Sequence, residues 1–167
     1  MMKRFIRFAV PTVLTTLALT ACFEEETVSI GYLGVNHTDM PIDSVIINGE
    51  GGILNVSAQG GGGEVCCITL PKKWRPKLLT TVKWLSGGHY ERDDRGQYVF
   101  TAGGDKVFVE GIWKTKTVEV PEYTQHDLAH FDIHFFTDDE VQVKASFSYP
   151  HHPDYRPAYP IKNPTKP

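Results

Sequence analysis

Short β-prone runs separated by glycine-containing turns constrain the fold of this chain more than any other feature. In segment 140–149, Val141, Val143, Ala145 and Phe147 alternate with polar residues, and this period of two predicts a strand with one buried and one wet face. Convincing long amphipathic helices are missing from the pattern; one helical turn is predicted within 123–129. The sequence therefore predicts an all-β fold, a single antiparallel β-sandwich or twisted-sheet domain with little helix. The other predicted strands are 28–35, 44–47, 64–70, 79–85, 97–101, 106–113 and 131–136.

Turn signals connect several of these runs. Asn48-Gly49 and the segment 86–88 are typical of turns, and the segments 102–105 and 137–139 join adjacent runs into two predicted hairpins. Trp84 alternates within its strand and is predicted to belong to the core.

The N-terminus predicts an exported lipoprotein. Three basic residues precede a short apolar run, too short to span a membrane, which ends in Leu19-Thr20-Ala21-Cys22. An aliphatic residue and two small ones before cysteine form a lipobox, so Cys22 is expected to carry diacylglycerol. The alternative is an ordinary secretory signal, with Cys22 in a disulfide. Phe23 stands where an inner-membrane retention signal has aspartate, which favours the outer membrane with the protein facing the periplasm.

The expected organisation is one domain with short flanking segments. It comprises a signal peptide 1–21, an acidic tether 22–27, a β-rich domain 28–150 and a Pro-rich tail 151–167 that is an extended strap or a frayed end. Cleavage removes three of 17 basic residues and none of 20 acidic ones, which leaves a net charge of −6. So acidic a chain offers no electrostatic basis for binding nucleic acid.

The stretch Gly60 to Trp74 raises the question of a site. Gly60 to Gly63 lacks the Lys-Ser/Thr of a phosphate loop and runs into Glu64 and a strand, so it predicts a flexible connection. Cys66 and Cys67 are adjacent, not spaced as in a redox motif. Two alternatives remain open for them: a vicinal disulfide, or two buried or half-buried thiols.

Catalytic and metal constellations are weak. His126, His130 and His134 are four residues apart, but the strand-like segment 131–136 is expected to take His134 off any shared helical face. The carboxylate pairs Asp93-Asp94 and Asp138-Asp139 fit solvated turns, and no serine lies in a nucleophile elbow. The sequence predicts no enzyme, no cofactor and no metal ligands.

Several motifs together carry a resemblance to a known family. Gly60 to Gly63, Cys66-Cys67-Ile68-Thr69-Leu70-Pro71 and Trp74-Arg75-Pro76 occur with Val118-Glu119-Val120-Pro121 and His151-His152-Pro153-Asp154-Tyr155. In this combination the chain resembles a family of bacterial lipoproteins, domain of unknown function 3304. The resemblance covers most of the mature chain.

The resemblance implies a role, since members are often encoded beside type VI secretion components and phospholipase-like toxins. It implies an immunity protein that binds a secreted lipase effector and blocks it by steric occlusion. The alternatives are a structural or assembly lipoprotein with a permanent protein partner, and a metal-binding periplasmic module. Partner-binding candidates are Gly61, Gly62, Trp74, Arg75 and Tyr90, because loops and aromatic anchors dominate interfaces.

Overall fold

The computed structural model describes residues 25–52 and 54–160. The predicted signal peptide, Cys22 and the end of the Pro-rich tail lie outside the described residues. None of the helices in the described part is long and apolar enough to cross a membrane. The strands are β1 Thr27–Asn36, β2 Ile42–Ile47, β3 Glu50–Gly52, β4 Gly60–Gly61, β5 Val65–Pro71, β6 Leu79–Ser86, β7 His89–Tyr90, β8 Phe108–Val109, β9 Ile112–Glu119, β10 His130–Phe135 and β11 Val141–Ser146.

Two sheets pack face to face, and the all-β prediction is confirmed. The first sheet has the order β11-β10-β1-β4, and β5 also pairs with β1. The second has the order β3-β2-β6-β9. All strand pairs named here are antiparallel except β1 with β10, which run parallel from Gly31–His130 to Asn36–Phe135. A parallel pair needs a long crossover connection, and here it contains the whole second sheet.

The core fills the space between the sheets. Side chains at alternate positions of β1 and β10 meet those of β2 and β6, as the period of two requires. Trp84 is 4% exposed, as predicted, and its ring centroid lies 5.6 Å from that of Phe135. The inner-face residues of the four central strands are Ile30, Tyr32, Val45, Ile47, Val82, Trp84, Phe131, Ile133 and Phe135.

The sandwich has two distinct ends. At one end Thr27 pairs with Pro71, and the Pro71 carbonyl accepts a hydrogen bond of 2.6 Å from the Tyr123 hydroxyl. At the other end Asn36 Nδ2 donates to the Met40 carbonyl at 2.7 Å, and Ile42 pairs with Ser86. We call these the Thr27 end and the Asn36 end. Ten residues of β1 separate them, roughly 33 Å.

The prediction of one continuous strand over 106–113 is wrong. The strand is interrupted between β8 and β9 at Gly111, where a Cβ atom would lie 2.7 Å from the Ser86 carbonyl oxygen. This close backbone approach lets β9 continue beside β6, from Ile112–Ser86 to Glu119–Leu79. Much of β9 therefore lies beyond the predicted segment.

Phe147 does not share the buried face that the alternation predicted. Strand β11 ends at Ser146, whose hydroxyl donates to the Ser148 carbonyl at 2.8 Å and turns the chain. Phe147 is 59% exposed and stacks on His126 at a centroid distance of 4.4 Å. The hairpin of β10 and β11 around 137–139 is confirmed.

Besides the strands, the described structure contains 3-10 helices at Gln125–Asp127, inside the predicted helical turn, and at Thr137–Asp139, and two further segments matter for the site. Residues 89–113, which we call the aromatic ribbon, contain β7, β8 and the first two residues of β9, and extend from the second sheet at the Asn36 end. Isolated bridges between Arg92 and Tyr98 and between Phe100 and Lys106 extend their pairing. Residues 149–160, which we call the strap, lie over the outer face of the first sheet.

Candidate functional site: a buried histidine, tyrosine and aspartate network

The outer face of β10 carries an unusual set of buried polar side chains. His130, Asp132 and His134 alternate along the strand and are each at most 1% exposed. Charged and polar side chains are buried in proteins only when they are paired or hydrogen-bonded. The strap covers them, and its Tyr155 is itself only 3% exposed.

Tyr155 joins two residues of β10. Its hydroxyl donates to Asp132 Oδ2 at 2.5 Å. The hydroxyl oxygen lies 2.9 Å from His134 Nε2, which must therefore be the donor. This fixes the His134 tautomer with its proton on Nε2 and leaves Nδ1 as an acceptor.

His37 continues the chain of hydrogen bonds toward the surface. Its Nε2 lies 3.0 Å from His134 Nδ1 and donates to it. The His37 ring stacks on Phe136 with centroids 4.3 Å apart. Every donor in this chain of three bonds is aimed toward Asp132, an arrangement in which each bond polarises the next.

His130 lies beside Asp132 on the same face of β10. Its Nε2 lies 3.4 Å from Asp132 Oδ1, without a well-formed hydrogen bond at either atom. Burial disfavours its imidazolium, but the nearby Asp132 carboxylate outweighs that effect, so the pKa of His130 is raised. Tyr149 of the strap stacks on the His130 ring at 4.4 Å.

At the other two histidines of the network, burial is the largest effect and the pKa is lowered. Desolvation, with smaller contributions from the charges of His37 and Lys144, lowers the pKa of His134 to about 3. Desolvation also lowers the pKa of His37 and, helped by Asp132, raises the pKa of Tyr155. At neutral pH the network therefore holds His134 and Tyr155 in their neutral forms, while the neighbouring Asp132 favours the protonated form of His130.

Chemically, this network fastens the strap to the sheet. A cleft of about 260 Å³ borders it beside His134, with Gln142, Lys144 and Arg156 among its lining residues. Lys144 Nζ lies 4.5 Å above the Tyr155 ring. The buried atoms of the network contact one another, so its evident physical effect is to position residues 149–160.

Cys66 and Cys67 form a vicinal disulfide in β5. Cys66 is exposed and Cys67 is half-buried. Of the two alternatives drawn from the sequence, the structure contains the bonded pair.

Gly61 and Gly62 are held against the first sheet, and this corrects the prediction of a flexible connection. Gly61 pairs with Val35, and the Gly62 amide donates to the Gly34 carbonyl at 3.0 Å. A Cβ atom at Gly62 would lie 2.8 Å from the Asn55 carbonyl oxygen. The glycines therefore permit close packing.

Trp74 and Arg75 lie at the Thr27 end. Trp74 is half-buried, packs against the core and donates from Nε1 to the Val120 carbonyl at 2.9 Å. The exposed Arg75 pairs with Glu25 of the predicted tether at 3.1 Å. These two candidates are thus separated from Gly61, Gly62 and Tyr90, which lie toward the Asn36 end.

Tyr90 belongs to an exposed aromatic cluster. Its ring meets Phe108 and Tyr98 edge-on, at 5.3 and 6.1 Å between centroids. Lys106 Nζ lies 3.8 Å from the Tyr98 ring centroid. The large apolar side chains exposed on the aromatic ribbon are Tyr90, Phe100, Phe108, Val109, Ile112 and Trp113, with exposures between 38% and 70%.

The histidines do not gather into a metal site within the described ranges. There, no group of three or more histidine, cysteine, aspartate or glutamate side chains has a geometry that would hold a metal ion. His130 and His134 share one strand face, while His126 stacks on Phe147 and His151 stacks on Tyr159.

Comparison with known proteins decides the family. Residues 35–143, well over half of the chain, match the family described as "Protein of unknown function (DUF3304)". The chain belongs to the DUF3304 family. The part of this DUF3304 protein that matches contains the aromatic ribbon, the vicinal disulfide, Asp132 and His134, and ends before Tyr155. No curated protein and no solved structure matches this DUF3304 protein.

Sequence reasoning missed Asp132 and His37 as site residues and noted Tyr155 only as part of a motif. One signal was present, because Asp132 is a carboxylate inside the apolar and aromatic run 131–136. A charge in such a run predicts a buried partner. Its partner comes from the strap, 23 residues along the chain.

Proposed function

We propose that this DUF3304 protein is a periplasmic lipoprotein that binds a type VI secretion lipase-type effector and neutralises it by steric occlusion. In this proposal Cys22 carries the lipid that anchors the chain to the outer membrane, and the chain performs no catalysis. The observation that carries the binding role is the cluster of exposed apolar side chains on the aromatic ribbon. The effector class rests on the family resemblance.

The chemistry of the ribbon suits a protein interface. Tyrosine, tryptophan and arginine dominate interface energetics because they combine large apolar areas with a polar group. Trp113 is 46% exposed beneath Lys83 Nζ, which lies 4.8 Å from its ring centroid. Ile112 beside it is 70% exposed, and such exposed clusters mark interaction sites in monomers.

The position of the ribbon fits a tethered inhibitor. The described chain enters the sandwich at the Thr27 end, only a few residues after Cys22. The ribbon leaves at the Asn36 end, roughly 33 Å away. A lipid at Cys22 would hold the Thr27 end at the membrane and leave the ribbon facing into the periplasm, where a delivered effector arrives.

The decisive experiment is to direct a lipase-type effector encoded next to the gene for this protein to the periplasm of a test strain, with and without this protein. We expect survival only when the protein is present, and equal killing in both cases would refute the proposal. Purification of the protein from cells that lack the effector tests the alternative of a structural lipoprotein with a permanent protein partner. A stable complex with another envelope protein there would favour a permanent partner.

A further inference from the structure

The vicinal disulfide coincides with a change of strand register. From Thr27–Pro71 to Ile30–Ile68, β1 and β5 pair without interruption, and the next pair is Tyr32–Val65. Gly31 on β1 is therefore opposed by both Cys66 and Cys67 on β5. Two residues against one define a β-bulge, and here those two residues are the bonded cysteines.

The bulge decides which side chains before it face the core. Ile68 faces inward, so an unbroken strand would turn Cys66 inward and Val65 outward. With the bulge, Val65 packs against the core beside Tyr32 instead. A slip of one residue would exchange the faces of Val65 and Glu64 and turn a carboxylate toward the core.

Glu64 connects the bulge to the strap. Its carboxylate lies over Gly31, at a place that a Cβ atom would occupy. Its Oε2 accepts a hydrogen bond of 3.4 Å from the Tyr149 hydroxyl, and the Tyr149 ring stacks on His130. A contiguous set of contacts thus leads from the disulfide through Glu64 to the network beneath the strap.

We propose that Cys66–Cys67 is a thiol–disulfide exchange site that a dithiol reductant opens in the folded protein, and that opening releases residues 60–65 and loosens the strap. Attack by one thiolate of the reductant breaks the Cys66–Cys67 bond and forms a mixed disulfide. The second thiol of the reductant then attacks this mixed disulfide and releases the cysteine that is still bound in it. Two electrons and two protons pass to the cysteines, and the reductant becomes a disulfide.

The position of the disulfide in β5 determines how a reductant reaches it and what its reduction changes. Cys66 is exposed on β5, where an attacking thiolate reaches it without unfolding of the core. Once the Cys66–Cys67 bond is broken, the two side chains can point to alternate faces like those of other strand residues, which removes the constraint that favours the bulge. Because the alternative register turns Glu64 inward, residues 60–65 leave β1 instead of slipping. The disulfide would open in this way whether or not the protein blocks an effector.

Hydrogen exchange of the full chain, before and after dithiothreitol, tests the proposal. Alkylation followed by peptide mass mapping should find both Cys66 and Cys67 modified without denaturant. The reduced protein should exchange amides of residues 60–65 and 149–155 several-fold faster, while β6 remains unchanged. Reoxidation should restore slow exchange.

Two results would overturn the proposal: cysteines that react only in denaturant, or identical exchange in the reduced and oxidised forms. A double variant, Cys66→Ser with Cys67→Ser, should match the reduced protein and no longer respond to dithiothreitol. Thr69→Ser, an exposed change on the same strand, is the matched control and should retain the response. If the double variant does not fold, the reversible change in the native chain still decides the matter.

Discussion

The hydroxyl group of Tyr155 donates a 2.5 Å hydrogen bond to Oδ2 of Asp132 and also lies 2.9 Å from His134 Nε2. One atom of the Pro-rich tail thereby satisfies two polar groups buried in the first sheet. Residues 149–160 are consequently part of the folded unit. Because an unpaired buried carboxylate is costly, the tail and the strand stabilise each other.

Replacing Tyr155 with phenylalanine should destabilise the protein. Tyr155→Phe keeps the ring but removes the hydroxyl, and the free energy of unfolding should fall by about 2–3 kcal/mol as Asp132 and His134 lose a partner. Urea denaturation measures this. Tyr149→Phe is the matched control, since Tyr149 is 56% exposed, and should change stability by less than about 0.5 kcal/mol. Equal effects of the two variants would contradict the network.

The pKa values of the two histidines of β10 should be shifted in opposite directions. The pKa of His134 is lowered to about 3 and that of His130 is raised, so NMR should find no inflection for the His134 ring near pH 6.5. An inflection of His134 at that pH would contradict its burial.

A dependence of stability on pH follows from His134. Between pH 6.5 and about 3, the unfolded chain binds a proton at His134 that the folded chain excludes. The His134 contribution should therefore decrease by up to about 1.4 kcal/mol for each unit that the pH falls. Urea titrations at several pH values should give a smaller slope for His134→Gln than for the native chain. The raised pKa of His130 acts separately: its contribution is complete below the unfolded pKa and is lost as the pH rises through the folded pKa.

Replacement by alanine should destabilise the protein at Gly62 but not at the adjacent Gly63. In Gly62→Ala the added methyl group meets the Asn55 carbonyl oxygen and Leu54, so we expect a loss of about 1–3 kcal/mol. Gly63→Ala, with nothing within 4 Å of the added Cβ, should be neutral or stabilising by up to about 1 kcal/mol. Thermal denaturation of both variants measures the difference. Equal tolerance would mean that the segment is not packed.

If the aromatic ribbon binds an effector as proposed, changes in the ribbon should reduce that binding without unfolding the protein. Trp113→Ala removes an exposed aromatic side chain, and we expect at least about tenfold weaker binding by calorimetry. Phe147→Ala is the matched control, because Phe147 is similarly exposed but lies outside the ribbon. If Trp113→Ala binds as well as the native protein, the contact surface lies elsewhere.

Cys22→Ala should release the protein from the membrane. Without its thiol the chain cannot receive diacylglycerol, so membrane fractionation should find it in the soluble periplasm. Under the proposed immunity role, protection against the effector should also decrease, because the protein would no longer be concentrated at the membrane that a lipase attacks. Continued membrane attachment of Cys22→Ala would contradict lipidation at this residue.

Local pattern predicted most of the strands but not their partners. The run 131–136 is evident from its residues, yet nothing in its composition distinguishes the parallel pairing with β1 from an antiparallel one. The end of β11 escaped prediction for a similar reason. Phe147 continues the alternation, but hydrogen bonds between Ser146 and Ser148 turn it outward.

The sequence by itself determined the all-β class, the Asn48-Gly49 turn, the hairpin around 137–139 and the core position of Trp84. These depend on properties of neighbouring residues: side-chain period, β-branching and turn chemistry. Only the tertiary structure decided that Asp132, His134, Tyr155 and His37 form one network, and that Cys66 and Cys67 oppose Gly31. Both arrangements depend on contacts between residues distant in sequence, which no local period specifies because they arise from packing the strap and sheets together.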